Sequence, residues 1–220
     1  MMTRREEIDA SYLALIDSER VSVQTREVLL KRLRSSDEPS RKTAMSMDQK
    51  EILQAFAECV VPMADRSIDF ALSIDARLAE GQGKGWRYSE LPPDLTAYRG
   101  ALAAIDRYAR REFRTCFVEL LLEKKNQTLR VIESGEMEAG EPDSSDDVPS
   151  LSATQMQRWF ENLRADVTGI YMSHPETLAQ LGYSGIADGA NSAALSGFVQ
   201  LGLGKVEAWE PKAKVQENES

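Results

Sequence analysis

Histidine is almost missing from this sequence: His174 is the only one in 220 residues. A lone histidine cannot build a histidine-rich metal site, and no serine stands in a nucleophile-elbow pattern. His174 itself sits at a helix end before Pro175, where the helix dipole suits an imidazole, so its expected role is structural. Cysteine is nearly as scarce. Cys59 and Cys116 are too few and too far apart for a disulfide framework or a cysteine zinc site. Both lie in apolar helical patterns and are expected to be buried reduced thiols, with a bridge to each other or to a partner chain as the alternative. Long apolar runs are absent too: none approaches the roughly 18 residues that span a bilayer. Arg4-Arg5 is followed by Glu6, Glu7 and Asp9, not by the apolar stretch an export signal needs. The chain is therefore expected to carry no export signal of its own and to insert directly in no membrane. Positive charge is short as well. Lys and Arg number 27 against 36 Asp and Glu, a net charge of −9, which argues against nucleic acid as a partner because phosphates would be repelled.

Two glycine patterns fail as phosphate cradles. Gly81-Gln82-Gly83-Lys84-Gly85 follows a helix and opens none. Gly202-Leu203-Gly204-Lys205 lacks the Ser or Thr that would bind magnesium. Neither has the strand–loop–helix context that aims backbone amides at phosphate, and both read as loops. Carboxylates are plentiful, but no spacing singles out an acid and a base. The sequence offers no catalytic residue, no cofactor-binding loop and no metal site in this chain.

What is present is helical periodicity. The fold expected is all-α: a compact bundle of about six or seven helices, with an N-terminal helical arm over 1–45 and an irregular glycine-containing C-terminal segment. Tyr12, Leu13 and Leu15 mark one arm helix. Ser22 caps a second that carries Val28, Leu29, Leu30 and Leu33. A polar stretch with Pro39 links the arm to a body over 46–211. Ser46 and Gln49 form a capping box ahead of Ile52, Phe56, Cys59 and Val60, and Pro62 stops that helix. The next runs through Ile68, Phe70, Ile74 and Leu78. Pro92-Pro93 opens a third, with Leu95, Tyr98, Leu102, Ile105 and Ala109 at three- and four-residue spacing. Phe113, Phe117, Leu120 and Leu121 continue the apolar pattern, and a short helix through Leu129 and Ile132 is closed by Gly135. Residues 136–150 hold six acidic residues and no basic ones and read as a mobile solvated loop. Ser152 and Gln155 make a second capping box, before a long helix with Met156, Trp159, Phe160, Leu163, Val167, Ile170 and Tyr171 on one face. Ser173-His174-Pro175 breaks it, and 212–220 is a polar tail.

Several of these pieces together resemble one family. Ile52 to Pro62, Asp69 with Asp75-Ala76-Arg77-Leu78, Trp86-Arg87-Tyr88, Leu91-Pro92-Pro93, Tyr98 and Leu102 occur in its order. Trp159-Phe160-Glu161-Asn162-Leu163-Arg164 follows, then Ile170-Tyr171, His174-Pro175, Leu181-Gly182-Tyr183-Ser184-Gly185 and Trp209-Glu210-Pro211. Each motif alone is weak; their order and spacing over about residues 46–211 is similar to the gluconate 2-dehydrogenase subunit 3 family, the small subunits of FAD-dependent dehydrogenases acting on sugars and related alcohols.

The resemblance implies a large partner of the glucose–methanol–choline (GMC) oxidoreductase group that holds the FAD and abstracts the hydride. It implies that this chain is a non-catalytic subunit that binds, folds and stabilises that partner. Small subunits of this kind sometimes carry a twin-arginine signal, which this sequence lacks, so the complex is expected in the cytoplasm unless the partner carries the address. Aromatics dominate binding energy at interfaces, and the candidates for the partner interface are Trp86, Tyr88, Trp159, Tyr171, Tyr183 and Trp209. The alternative for the loop aromatics is that they tuck onto the core. The alternative for the whole chain is a helical adaptor unrelated to redox chemistry.

Overall fold

The computed structural model describes residues 9–34, 42–61, 68–82, 88–137, 149–187, 199 and 202–211. Among them every regular element is helical. The order is α1 (Ala10–Asp17), α2 (Val23–Arg34), α3 (Met47–Val60), α4 (Phe70–Ala79), α5 (Asp94–Phe113), a 3-10 turn (Phe117–Glu119), α6 (Leu122–Glu133), α7 (Ala153–Ser173) and α8 (Pro175–Leu181). The all-α expectation holds, with one helix more than the six or seven anticipated. The addition is α8: Pro175, which ends the long helix, also supplies a first-turn residue for the next. Pro39, Pro62, Gly83, Gly85, Trp86, Arg87, most of the acidic stretch (138–148) and the tail lie outside the described residues.

The chain divides into two units, Met1–Glu38 with Tyr171–Ser220 and Pro39–Ile170. This differs from the expected arm-plus-body boundary at 45/46. The arm helices make their core with the C-terminal part of the chain, a pairing that local periodicity does not encode.

In the second unit α3 packs against α4, α5, α6 and the 3-10 turn. Its capping box is complete: Ser46 Oγ accepts from Gln49 N at 3.2 Å, and Gln49 Oε1 from Ser46 N at 3.1 Å. The first turn of α4 is capped twice, by Asp69 Oδ1 on Leu72 N and by Gln54 Oε1 on the amides of Phe70 and Ala71. Buried Ala97, Ala101 and Ala104 sit with Gly100 along α5. A Cβ on Gly100 would stand 2.8 Å from the carbonyl oxygen of Pro149, so the chain returning to α7 requires glycine there. Helix α5 ends at Arg114, which takes a left-handed φ of 64°. The apolar pattern read through Phe113 to Leu121 is thereby interrupted. Phe117 and Leu120 turn inward on the 3-10 turn, and Leu121 is left 78% exposed. At the centre, Phe56 meets the rings of Phe117, Trp159 and Phe160 at centroid distances of 5.7, 5.8 and 5.7 Å.

Two polar clusters fix this packing. Asp75, 1% exposed, accepts from the amides of Ala44 and Met45, each at 2.8 Å, and from Thr43 Oγ1 at 2.7 Å. Asp166 Oδ2 on α7 accepts from Tyr98 Oη at 2.7 Å and Arg77 Nη2 at 2.9 Å, joining α4, α5 and α7.

The first unit is smaller. Tyr12, Leu15 and Ile16 of α1, Leu29 and Leu33 of α2, and Leu178 of α8 form its core. The guanidinium of Arg26 closes the α1–α2 turn, with Nε on Ile16 O at 2.8 Å and Nη2 on Ser18 O at 2.7 Å. Ser22 caps α2 as expected, its Oγ accepting from Thr25 N.

These burial patterns give a pH prediction. Burial and the adjacent Asp166 carboxylate push the Tyr98 phenol well above its ordinary range. Burial, then Tyr183, push that of Tyr12 up. Both folded values lie above the unfolded one near 10, so the folded chain holds these protons more tightly. Their contribution is complete below that pH and is lost as pH rises through and beyond it. In an ultraviolet phenolate titration of the six tyrosines, Tyr12 and Tyr98 are expected to ionise last, together with unfolding. Ionisation of both in the ordinary range with helicity intact would contradict this.

Candidate partner-binding site

The first unit carries an open apolar cleft of about 520 Å³. One wall is α2, whose positions 24, 28 and 32 follow at four-residue spacing and so share a face. The other is built from Met172 and Ser173 at the end of α7, Leu178 and Leu181 of α8, and Tyr183 and Ile186 beyond it. Val28, Met172, Leu181 and Tyr183 are each about half exposed, at 48, 46, 56 and 50%. Four large apolar side chains half-open on one cleft make a contiguous patch, which marks interaction surface more often than scattered single exposures do.

Local chemistry holds the cleft in shape. His174 occupies the position just before α8, without a side-chain capping bond, and is 4% exposed, with Nδ1 3.9 Å from Glu176 Oε2. It lies between the end of α7 and the start of α8. Gly182 takes φ 63° and closes α8. The phenol of Tyr183 crosses so close over Gly185 that a Cβ there would stand 2.4 Å from its oxygen. Arg32 Nη1 donates to Ser173 O at 3.0 Å, capping the end of α7 and fixing a cation at the cleft edge. The Trp209-Glu210-Pro211 motif returns to the same unit. Trp209 packs on its core beneath the guanidinium of Arg20, 4.4 Å from the ring centroid, and Glu210 accepts from Ser184 Oγ at 2.6 Å.

The six aromatics read from the sequence divide. Tyr183 lines the cleft. Tyr171 is half-buried at the end of α7, one residue from Met172. Trp209 is half-buried on the core of the same unit. Tyr88, in the other unit, is half-buried beneath Arg158, 4.8 Å from its ring centroid, and its hydrogen bond to Glu161 pushes the phenol up. Trp86 lies outside the described residues. Trp159 needs correction: at 1% exposure it is a core residue packed on Phe56 and edge-on to Tyr98, with no surface to offer a partner. Sequence reasoning missed Met172 and Arg32 as lining residues. Val28 was visible only as a helix marker, and Leu181 only as part of the Leu181–Gly185 motif.

The cysteines are both free thiols and half-buried, not fully buried. Burial pushes the Cys59 thiol up. Cys59 lines a smaller, mixed cleft of about 260 Å³ with Asn126, Arg130, Glu133 and Arg164. Among the described residues no three His, Cys, Asp or Glu side chains come together as a metal site, and no helix is long and apolar enough to cross a membrane. The glycines of 202–204 form a turn, with φ of 125° at Gly202 and 74° at Gly204, and not the opening of a helix.

Against known proteins, the model of the family described as gluconate 2-dehydrogenase subunit 3 matches residues 47–189, more than half of the chain. No curated protein and no solved structure matches it.

Proposed function

Because the chain belongs to the gluconate 2-dehydrogenase subunit 3 family, we propose that it is the non-catalytic small subunit of a flavin-dependent dehydrogenase complex. Its partner would be a large GMC-type chain that holds FAD and oxidises a sugar or related alcohol. The complex would reside in the cytoplasm unless the partner carries an export address. The observation that carries the reading is the pairing of family membership with a half-open apolar cleft walled partly by family-motif residues, Leu181 and Tyr183. A subunit that binds the folded form of its partner and not the unfolded form stabilises it by mass action, by about 2.7 kcal/mol at a hundredfold excess over Kd. Stabilisation of that size separates a soluble flavoprotein from one that aggregates or is degraded.

The experiment is expression of a large GMC-type flavoprotein from the same genome, with and without this chain. Soluble, flavin-loaded large chain is expected to rise several-fold on co-expression, while this chain alone oxidises no sugar and binds no FAD. An unchanged yield of flavin-loaded large chain, or turnover by this chain alone, would count against the proposal.

A further inference from the structure

We infer that α1, α2, α8 and the segment around Trp209 open and close as one cooperative unit, on their own and more readily than residues 39–170. The cleft exists only while that unit is closed. The consequence for assembly rests on the proposed function: an open unit has no cleft to offer the large chain. The opening itself needs no partner.

The cleft and the core beneath it share residues. Leu29, Leu178 and Ile186 belong to the core of the first unit and also line the cleft, so the two walls cannot part without exposing that core. The walls come from distant stretches of sequence, 24–32 and 172–186. Neither wall holds by itself. Helices α1, α2 and α8 have 8, 12 and 7 residues, and isolated helices below roughly 12–15 residues are marginal in water. They stand because α1 and α2 bury Tyr12, Ile16 and Leu33 with Leu178 and Ile186. The polar ties join the same pieces: Arg32 Nη1 donates to Ser173 O at 3.0 Å, Arg20 covers Trp209, and Ser184 Oγ donates to Glu210 at 2.6 Å.

Size sets which unit opens first. Among the described residues the first unit buries nine apolar side chains in its core. The second buries more than three times as many, with helices of 14 and 20 residues. Hydrophobic stabilisation scales with the apolar area buried, so the smaller core gives way at lower free energy. The chain passes between the two units only at 38/39 and 170/171, and cooperative partial openings follow boundaries of this kind.

The test is native-state hydrogen exchange of the full-length chain, alone and at rising denaturant below the global transition. The amides of α1, α2 and α8 are expected to converge on one opening, with exchange about tenfold or more faster than in α3 and α5. Leu15→Ala truncates a core leucine that is not among the cleft-lining residues. It is expected to speed exchange about thirtyfold or more in all three helices, the low end for a buried leucine cut to alanine. The decisive reading is α8, more than 150 residues further along the chain, because a local defect would stop at α1 and α2. Phe56→Ala is expected to speed exchange in α3 and α5 and to leave α1, α2 and α8 unchanged. The denaturant series on the native chain decides the matter even where a variant fails to fold. Faster exchange confined to α1 and α2, or a single opening shared by both units in the native chain, overturns the inference. Failure of the large chain to bind would overturn the proposed function and leave this opening standing.

Discussion

Replacing Phe56 with alanine is expected to lower the unfolding free energy of the second unit by about 4 kcal/mol, near the middle of the range for a buried aromatic truncated in a core. Phe56 is 0% exposed. Three aromatic rings surround it at less than 6 Å between centroids, that of Phe160 edge-on at 90°. Those rings come from the 3-10 turn and α7, while Phe56 belongs to α3, so the lost volume lies where elements distant in sequence meet. Little can move in to fill it, because its neighbours are themselves held: the amide of Phe117 by Asp106 Oδ1 at 2.9 Å, and α7 by the bond from Tyr98 to Asp166. Phe56→Leu keeps most of the apolar volume and is expected to cost less than half as much. Denaturant titration followed by circular dichroism measures both. Equal costs for the two variants would show that the retained apolar volume contributes nothing at this position and would contradict the cavity account.

Asp75→Ala is expected to cost about 3 kcal/mol, set mainly by the donors it strands. The carboxylate satisfies two backbone amides and a hydroxyl on residues 43–45, just ahead of the capping box that starts α3. Met45, 4% exposed, has no ready route to water for its amide. Part of the loss is offset, because a carboxylate buried at 1% exposure no longer has to be desolvated. Asp75→Asn keeps an acceptor for the amides and is expected to lose about 1 kcal/mol. The second observable is local: hydrogen exchange at Ala44 and Met45 accelerates in the alanine variant and much less in the asparagine variant. Unchanged exchange in Asp75→Ala would mean that the clamp is not what holds this segment.

Both sites show what a sequence gives up readily and what it withholds. The two capping boxes, Ser46 with Gln49 and Ser152 with Gln155, were legible because their chemistry is local, and both are formed. Gly135 and Gly182 stand where helices end, with left-handed φ. The aromatic stripe through Trp159 was legible as one face of a helix, but periodicity reports only that a face is covered. It does not say whether the cover is the chain itself or a partner. That is why Trp159 reads equally well as core and as interface until its neighbours are known. The same limit explains the domain boundary. Tyr12 and Leu33 lie more than a hundred residues from Leu178 and Ile186, and no local signal announces that they share a core. Arg114 gave no warning either, since a left-handed residue that is not glycine leaves no compositional mark. The cleft was half legible: the Leu181–Gly185 motif pointed to it, while the opposite wall belonged to a helix read as part of a separate arm.

The family fixes this chain as one subunit of a dehydrogenase assembly, and the cleft is where we place the rest of that assembly. The most direct measurement is size-exclusion chromatography of this chain co-expressed with the proposed large GMC-type flavoprotein of the same genome, monitored for flavin absorbance and for both polypeptides. A single early peak containing both chains and the flavin is the predicted result. Two separate peaks, with the flavin chain soluble and active on its own, would contradict the account.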